Sequence, residues 1–154
     1  MEYKSFEEFY KKAENLAKQA QSKYANFKQA IIYARKSFSR AEMNSFFNIG
    51  TLKQEQIRLL QAKTTKIKFS VDSLIKNIIE HPDLKYEDYN RICFILKNAD
   101  DVILGTYNHL RFFKVVNEKL YEVIVKCTND NKENFLLSLH RSDLSKLRNL
   151  KLKR

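Results

Sequence analysis

The chain has 154 residues with 44% hydrophobic content, only two glycines and one proline, which excludes a disordered or collagen-like chain and leaves enough material for a substantial core. A net charge of +11 and a sequence pI near 9.6 set up a field that draws polyanions. Nucleic acid is the first of these; an acidic protein or an anionic membrane surface answers to the same field. No apolar run approaches the roughly 18 residues of a membrane span, and Met1-Glu-Tyr-Lys-Ser-Phe-Glu-Glu8 has no apolar signal-peptide core, so a cytoplasmic protein without a membrane partner is expected.

The first predicted element is a long helix opened by the capping box Ser5-Phe-Glu-Glu8. Phe6, Tyr10, Ala13, Ala17, Ala20, Tyr24, Phe27, Ile31 and Ala34 recur at alternating spacings of four and three, which marks one apolar stripe. Such a stripe serves either as a seam between chains or as a packing face within one; its alanines offer little area alone and favour the second. Ser37 to Gly50 reads as a break or a short helix with exposed Phe46 and Phe47, and Thr51-Leu-Lys-Gln54 as a second capping box for a helix to about Lys63. Residues 1–62 are therefore expected to be a helical extension.

From residue 63 to 154 the pattern changes to a compact βααβββα domain with an antiparallel sheet, so the predicted class is α+β. Lys66 to Ser70 alternates as a strand. Ser70 then caps a helix with Val71, Leu74, Ile75, Ile78 and Ile79 on its apolar face, which Pro82 ends by forcing His81 out of helical geometry. Tyr89, Ile92, Cys93 and Leu96 form the face of the next helix, and Asp101 to Gly105 is a short buried-strand candidate. Leu110–Val116 and Lys119–Cys127 flank Asn117-Glu118 as a hairpin, Phe135–His140 is the last strand, and Ser142 or Asp143 caps a final helix with Leu144 and Leu147. Cys93 and Cys127, both in apolar surroundings, are expected to be buried thiols of a reducing compartment.

The stretches His81-Pro-Asp-Leu84, Asn98-Ala-Asp-Asp-Val102, Phe112 to Tyr121, Glu122-Val-Ile-Val-Lys126 and Phe135-Leu-Leu-Ser-Leu-His140 resemble phage-associated nuclease domains of the barnase–EndoU–colicin–RelE-like group. The resemblance covers roughly residues 65–148. It implies a metal-independent RNA-cleaving domain, often a toxin or phage-carried effector, for which a cognate inhibitor protein is an expected partner. Such domains often end the last strand with a Thr and an aromatic; Ser138 and His140 stand here, which keeps the hydroxyl.

RNA supplies its own nucleophile, the 2′-OH, so cleavage needs a base, an acid and cations for the phosphoryl charge, and no cofactor. Histidine fills either proton role and Arg and Lys hold phosphate. Counting by twos along the strands puts Ser138 and His140 on one face of the last strand, opposite Phe135, Leu137 and Leu139, and gathers His140, Ser138, Lys126 and Glu122 with Arg111 nearby. The expected catalytic set is His140, His81, Lys126 and Ser138, with Arg111, Lys114, His109 and Arg141 binding the RNA, whether tRNA or mRNA. The histidines and cysteines show no CxxC or HxxxH spacing, so no metal site is expected, and Glu122 and Lys126 are too far apart for the carboxylate-x-lysine pattern of metal-dependent nucleases. Two other readings stay open: an RNA-binding module that does not cut, and a helix-mediated interaction protein whose basic surface meets an acidic partner.

Overall fold

The computed structural model describes residues 1–143. In chain order they form β1 (Glu2–Tyr3), α1 (Phe6–Lys23), α2 (Phe27–Ser37), α3 (Arg40–Met43), β2 (Phe46–Thr51), α4 (Gln54–Leu60) and β3 (Lys66–Ser70). Then follow α5 (Val71–Glu80), α6 (Tyr86–Tyr89), α7 (Ile92–Lys97), β4 (Asp101–Leu104), β5 (His109–Val116), β6 (Lys119–Cys127) and β7 (Asn134–Asp143). The class is α+β, with one seven-stranded mixed sheet in the order β1-β2-β3-β7-β6-β5-β4. β1 lies parallel to β2 and β3 parallel to β7; the other neighbours are antiparallel.

The first 62 residues are not an all-helical extension. They contribute β1 and β2 to the sheet, and the main apolar core runs from α1 through β3 to β7, with a small second cluster around Phe113 and Leu120. Phe9 of α1, fully buried, has its ring 6.0 Å from Phe47 of β2 and 5.5 Å from Phe69 of β3. Phe46 and Phe47 are thus strand residues, paired with Ser70 and Phe69. The helix after β2 is also capped two residues later than its sequence suggests: Thr51 ends the strand, and the Lys53 amide donates to Gln56 Oε1 at 2.9 Å.

The apolar stripe is broken into two helices. α1 starts at its Ser5 cap, which accepts from the Glu8 amide, and stops at Tyr24; Asn26 Oδ1 then accepts from the Gln29 amide and starts α2. Both helices pack on α5, while the junction between them lies at the surface, with Tyr24 44% and Phe27 47% exposed. Ala13, Ala17 and Ala20 are fully buried and belong to the same core as α5, so the small side chains serve close packing within the chain. An Ala17→Leu variant, which inserts methylenes where no space exists, is expected to lower stability by about 1–3 kcal/mol, read from the shift in urea midpoint.

The second half follows its sequence pattern closely. Ser70 accepts from the Ser73 amide and opens α5, which ends at His81 before Pro82. Asn117 and Glu118 both have positive φ, 51° and 65°, giving the tight turn between β5 and β6. β4 is an edge strand instead of a buried one, with Leu104 exposed. The second helix predicted after Pro82 is two pieces, α6 and α7, and Cys93 is exposed on α7 while Cys127 is buried. The final helix expected around Leu144 and Leu147 lies outside the described residues, and β7 itself runs on through Ser142 to Asp143. No helix among the described residues is long and apolar enough to cross a membrane.

Candidate active site

Strand register decides which side chains meet. On the sheet face away from the main core, Glu122 of β6 lies between His140 of β7 and Phe113 of β5. Arg111 Nε donates to Glu122 Oε2 at 2.6 Å, and Glu122 is buried. His81, at the C-terminal cap of α5, brings its ring centroid to 4.6 Å from that of His140, with the ring planes at 60°. His81, His140, Glu122 and Arg111 therefore form one row, and both histidines are partly exposed.

Asn77 holds that row together. β3 pairs with β7 only at Asn134 and Phe135, so farther along β7 the backbone has no strand partner on that side. Asn77 of α5 fills the gap: its Nδ2 donates to the Leu139 carbonyl at 3.1 Å and its Oδ1 accepts from the Leu139 amide at 3.0 Å. The same Nδ2 donates to the Tyr89 hydroxyl at 3.0 Å. This clasp sets α5 along β7, one turn before His81, and so carries His81 to His140.

Lys126 stands apart from the imidazole pair, whereas Ser138 stays beside it. Ser138 faces Ile124, itself opposite Arg111, one step from His140 on the same face. Lys126 is four residues along β6 from Glu122, about 13 Å. It lies in a second row, Lys68–Phe135–Lys126–His109, across four strands. Burial, with the Lys126 cation beside it, holds the His109 imidazole below its ordinary pKa. Phe135 joins this face because of a bulge: Ile124 pairs with Ser138 but Val125 with Leu136, so an extra residue in β7 reverses the alternation.

Lys114 and Arg141, expected on the RNA, lie on the opposite face, where both flank Tyr121. Lys114 Nζ is 3.0 Å from Asp100 Oδ1. Arg141 Nη1 reaches both carboxylate oxygens of Asp88 at 3.0 Å, and Nη2 donates to the Asp83 carbonyl at 3.3 Å. The Tyr121 hydroxyl donates to Asp88 Oδ1 at 2.5 Å and accepts from Arg91 Nη1 at 2.8 Å. The network ties α6 to β6 and β7, a structural duty that leaves Arg141 no fork for phosphate.

Burial works against the charge on Asp88, but the Tyr121 hydroxyl, the Lys85 amide and Arg141 outweigh it and hold the carboxyl below its ordinary value. A carboxyl whose pKa is depressed by folding adds stability above its unfolded pKa, and that contribution is lost as pH falls through the folded value. Stability is thus expected to fall on acidification below about pH 4, and Asp88→Asn to flatten that part of the curve when urea midpoints are followed against pH.

Among the described residues no three His, Cys, Asp or Glu side chains lie together as a metal site. The row can present imidazoles and a guanidinium to one anionic group, which is proton-transfer and charge-stabilising chemistry. Compared with known proteins, the chain matches no family model, no curated protein and no solved structure.

Proposed function

We propose that the protein is a metal-independent endoribonuclease of toxin or phage-effector type, acting on RNA in the cytoplasm. The observation that carries this reading is the contact between His81 and His140 beside the Arg111–Glu122 pair. Ring centroids 4.6 Å apart are close enough for one phosphodiester to reach both imidazoles. One imidazole accepts the 2′-OH proton while the 2′ oxygen attacks phosphorus. The P–O5′ bond breaks, the other imidazole gives its proton to O5′, and a 2′,3′-cyclic phosphate and a 5′-OH result. Arg111 meets the charge growing on the phosphoryl oxygens, and Glu122 fixes the orientation of its guanidinium. The net charge of +11 supports attraction of the polyanion over distance.

The test is incubation of labelled RNA with the purified chain in excess EDTA. Cleavage that leaves a 2′,3′-cyclic phosphate is the expected result. RNA retained without cutting, with affinity falling steeply with salt, would instead establish the RNA-binding reading.

A further inference from the structure

We propose that the cavity at the β3–β7 end of this sheet face seats an unpaired nucleotide, which makes the substrate single-stranded RNA. The identity of the polymer rests on the ribonuclease reading; the seat for a nucleotide rests on the cavity alone. The cavity holds about 760 Å³, within the size range of small-molecule sites. Phe46, Phe135 and Leu137 supply its apolar wall and Lys68 and Lys126 its cations. Phe46 and Phe135 are both partly exposed; Lys68 already lies over the Phe46 ring, so Phe135 is the ring offered to a base for stacking.

Of the two lining cations Lys68 is answered by Glu133, which lines the same cavity, so the cation left to meet an anion is Lys126. Lys126 has no carboxylate within ion-pair distance among the described residues, and Lys68 Nζ lies 4.5 Å over the Phe46 ring while bonded to Glu133 at 2.8 Å. Asp72 at the rim is held by Arg35 through two hydrogen bonds, so its charge is answered within the protein. A smaller cavity of about 360 Å³ adjoins, sharing Phe46 and Lys68. Asn48 and the fully buried Asn134 line it, and each has a buried Oδ1 with no hydrogen-bond partner among the described residues. An aromatic ring beside an unanswered cation is the combination that single-strand recognition uses. A duplex keeps the face of each base stacked inside the helix, so Phe135 has no base to stack on.

Phe135 and His140 pair with Lys126 and Glu122, four residues apart on β6, so the bulge in β7 leaves them about 13 Å apart along the sheet. The seated base is therefore displaced from the scissile bond by more than one nucleotide, and the enzyme senses an unpaired context beside the cut.

The test uses the full chain carrying His140→Ala, titrated with fluorescent single-stranded RNA and with the same RNA annealed to its complement. Single strand is expected to bind at least about tenfold tighter than duplex, and added Phe135→Leu, which keeps apolar bulk but removes the ring, to weaken single-strand binding about tenfold. Added Lys126→Gln should reduce the slope of log Kd against log salt by about 0.7, the value for one contact on a single strand. Equal affinity for duplex, or an unchanged Kd and salt slope in both variants, overturns the proposal. If Phe135→Leu unfolds, photo-crosslinking of 4-thiouridine RNA decides: adducts on the β2, β3 and β7 segments support the seat, adducts elsewhere overturn it. Wild-type cleavage in EDTA is scored alongside, so loss of the ribonuclease reading and loss of the nucleotide seat are separate results.

Discussion

Replacing His140 with alanine is expected to reduce RNA cleavage by about 10²–10⁴-fold, the span that one proton-transfer group contributes. His81→Ala should fall in the same span. The double variant should be little worse than either single one, since an acid and a base serving one displacement fail as a unit. Each single variant should also lose one limb of the pH–rate profile, a change that a merely structural histidine would not produce. Arg111→Lys keeps a cation but not the planar fork bonded to Glu122 at 2.6 Å, so kcat is expected to fall with KM altered less. The measurement is single-turnover cleavage in EDTA, with thermal unfolding to confirm folding. Cleavage that persists at the wild-type rate in both histidine variants would remove the imidazole pair from the mechanism.

Local signals were legible where they decide structure over a few residues. Ser70, the Val71–Ile79 apolar face and Pro82 fix both ends of α5, and Asn117-Glu118 fixes the β5–β6 turn. β2 was not legible, because Phe46 and Phe47 side by side blur the alternation and its partners, β1 and β3, come from distant parts of the chain. The single stripe from Phe6 to Ala34 likewise hid the Asn26 cap that splits it. Half of the site was readable: counting by twos puts His140 and Ser138 with Glu122 and Arg111, as the register has them. The same count puts Phe135 on the wrong face, since a bulge leaves no mark in composition. It also lets Lys126 join the histidines, because parity along a strand ignores distance. Lys68, Phe46 and the cavity between them went unseen for the same reason as β2. Asn77 left one trace that sequence alone could have used: a polar residue three positions after buried Leu74, on the buried side of an apolar helix.

That residue carries the second large effect. Asn77→Leu is expected to destabilise the protein by about 3–4 kcal/mol, because it strands the amide and carbonyl of Leu139, both in the core, as well as the Tyr89 hydroxyl. Leucine matches the shape of asparagine but offers no bonds, so the desolvation cost of those groups is left uncompensated. Against a typical total of about 5–15 kcal/mol this is a large fraction, and the urea midpoint should move accordingly with little change in slope. Activity should fall further than stability requires. At temperatures where the variant stays folded, α5 is no longer fixed along β7, and His81 loses its place 4.6 Å from His140. The discriminating readout is cleavage against binding: kcat should drop while affinity for an uncleavable 2′-deoxy single strand, seated at Phe135 and Lys126, holds. A midpoint shift worth less than about 1 kcal/mol would mean that Leu139 finds other partners and that Asn77 is not the clasp. A parallel loss of binding would mean that the two rows of the sheet face are not independent, and that α5 supports the nucleotide seat as well as the imidazole pair.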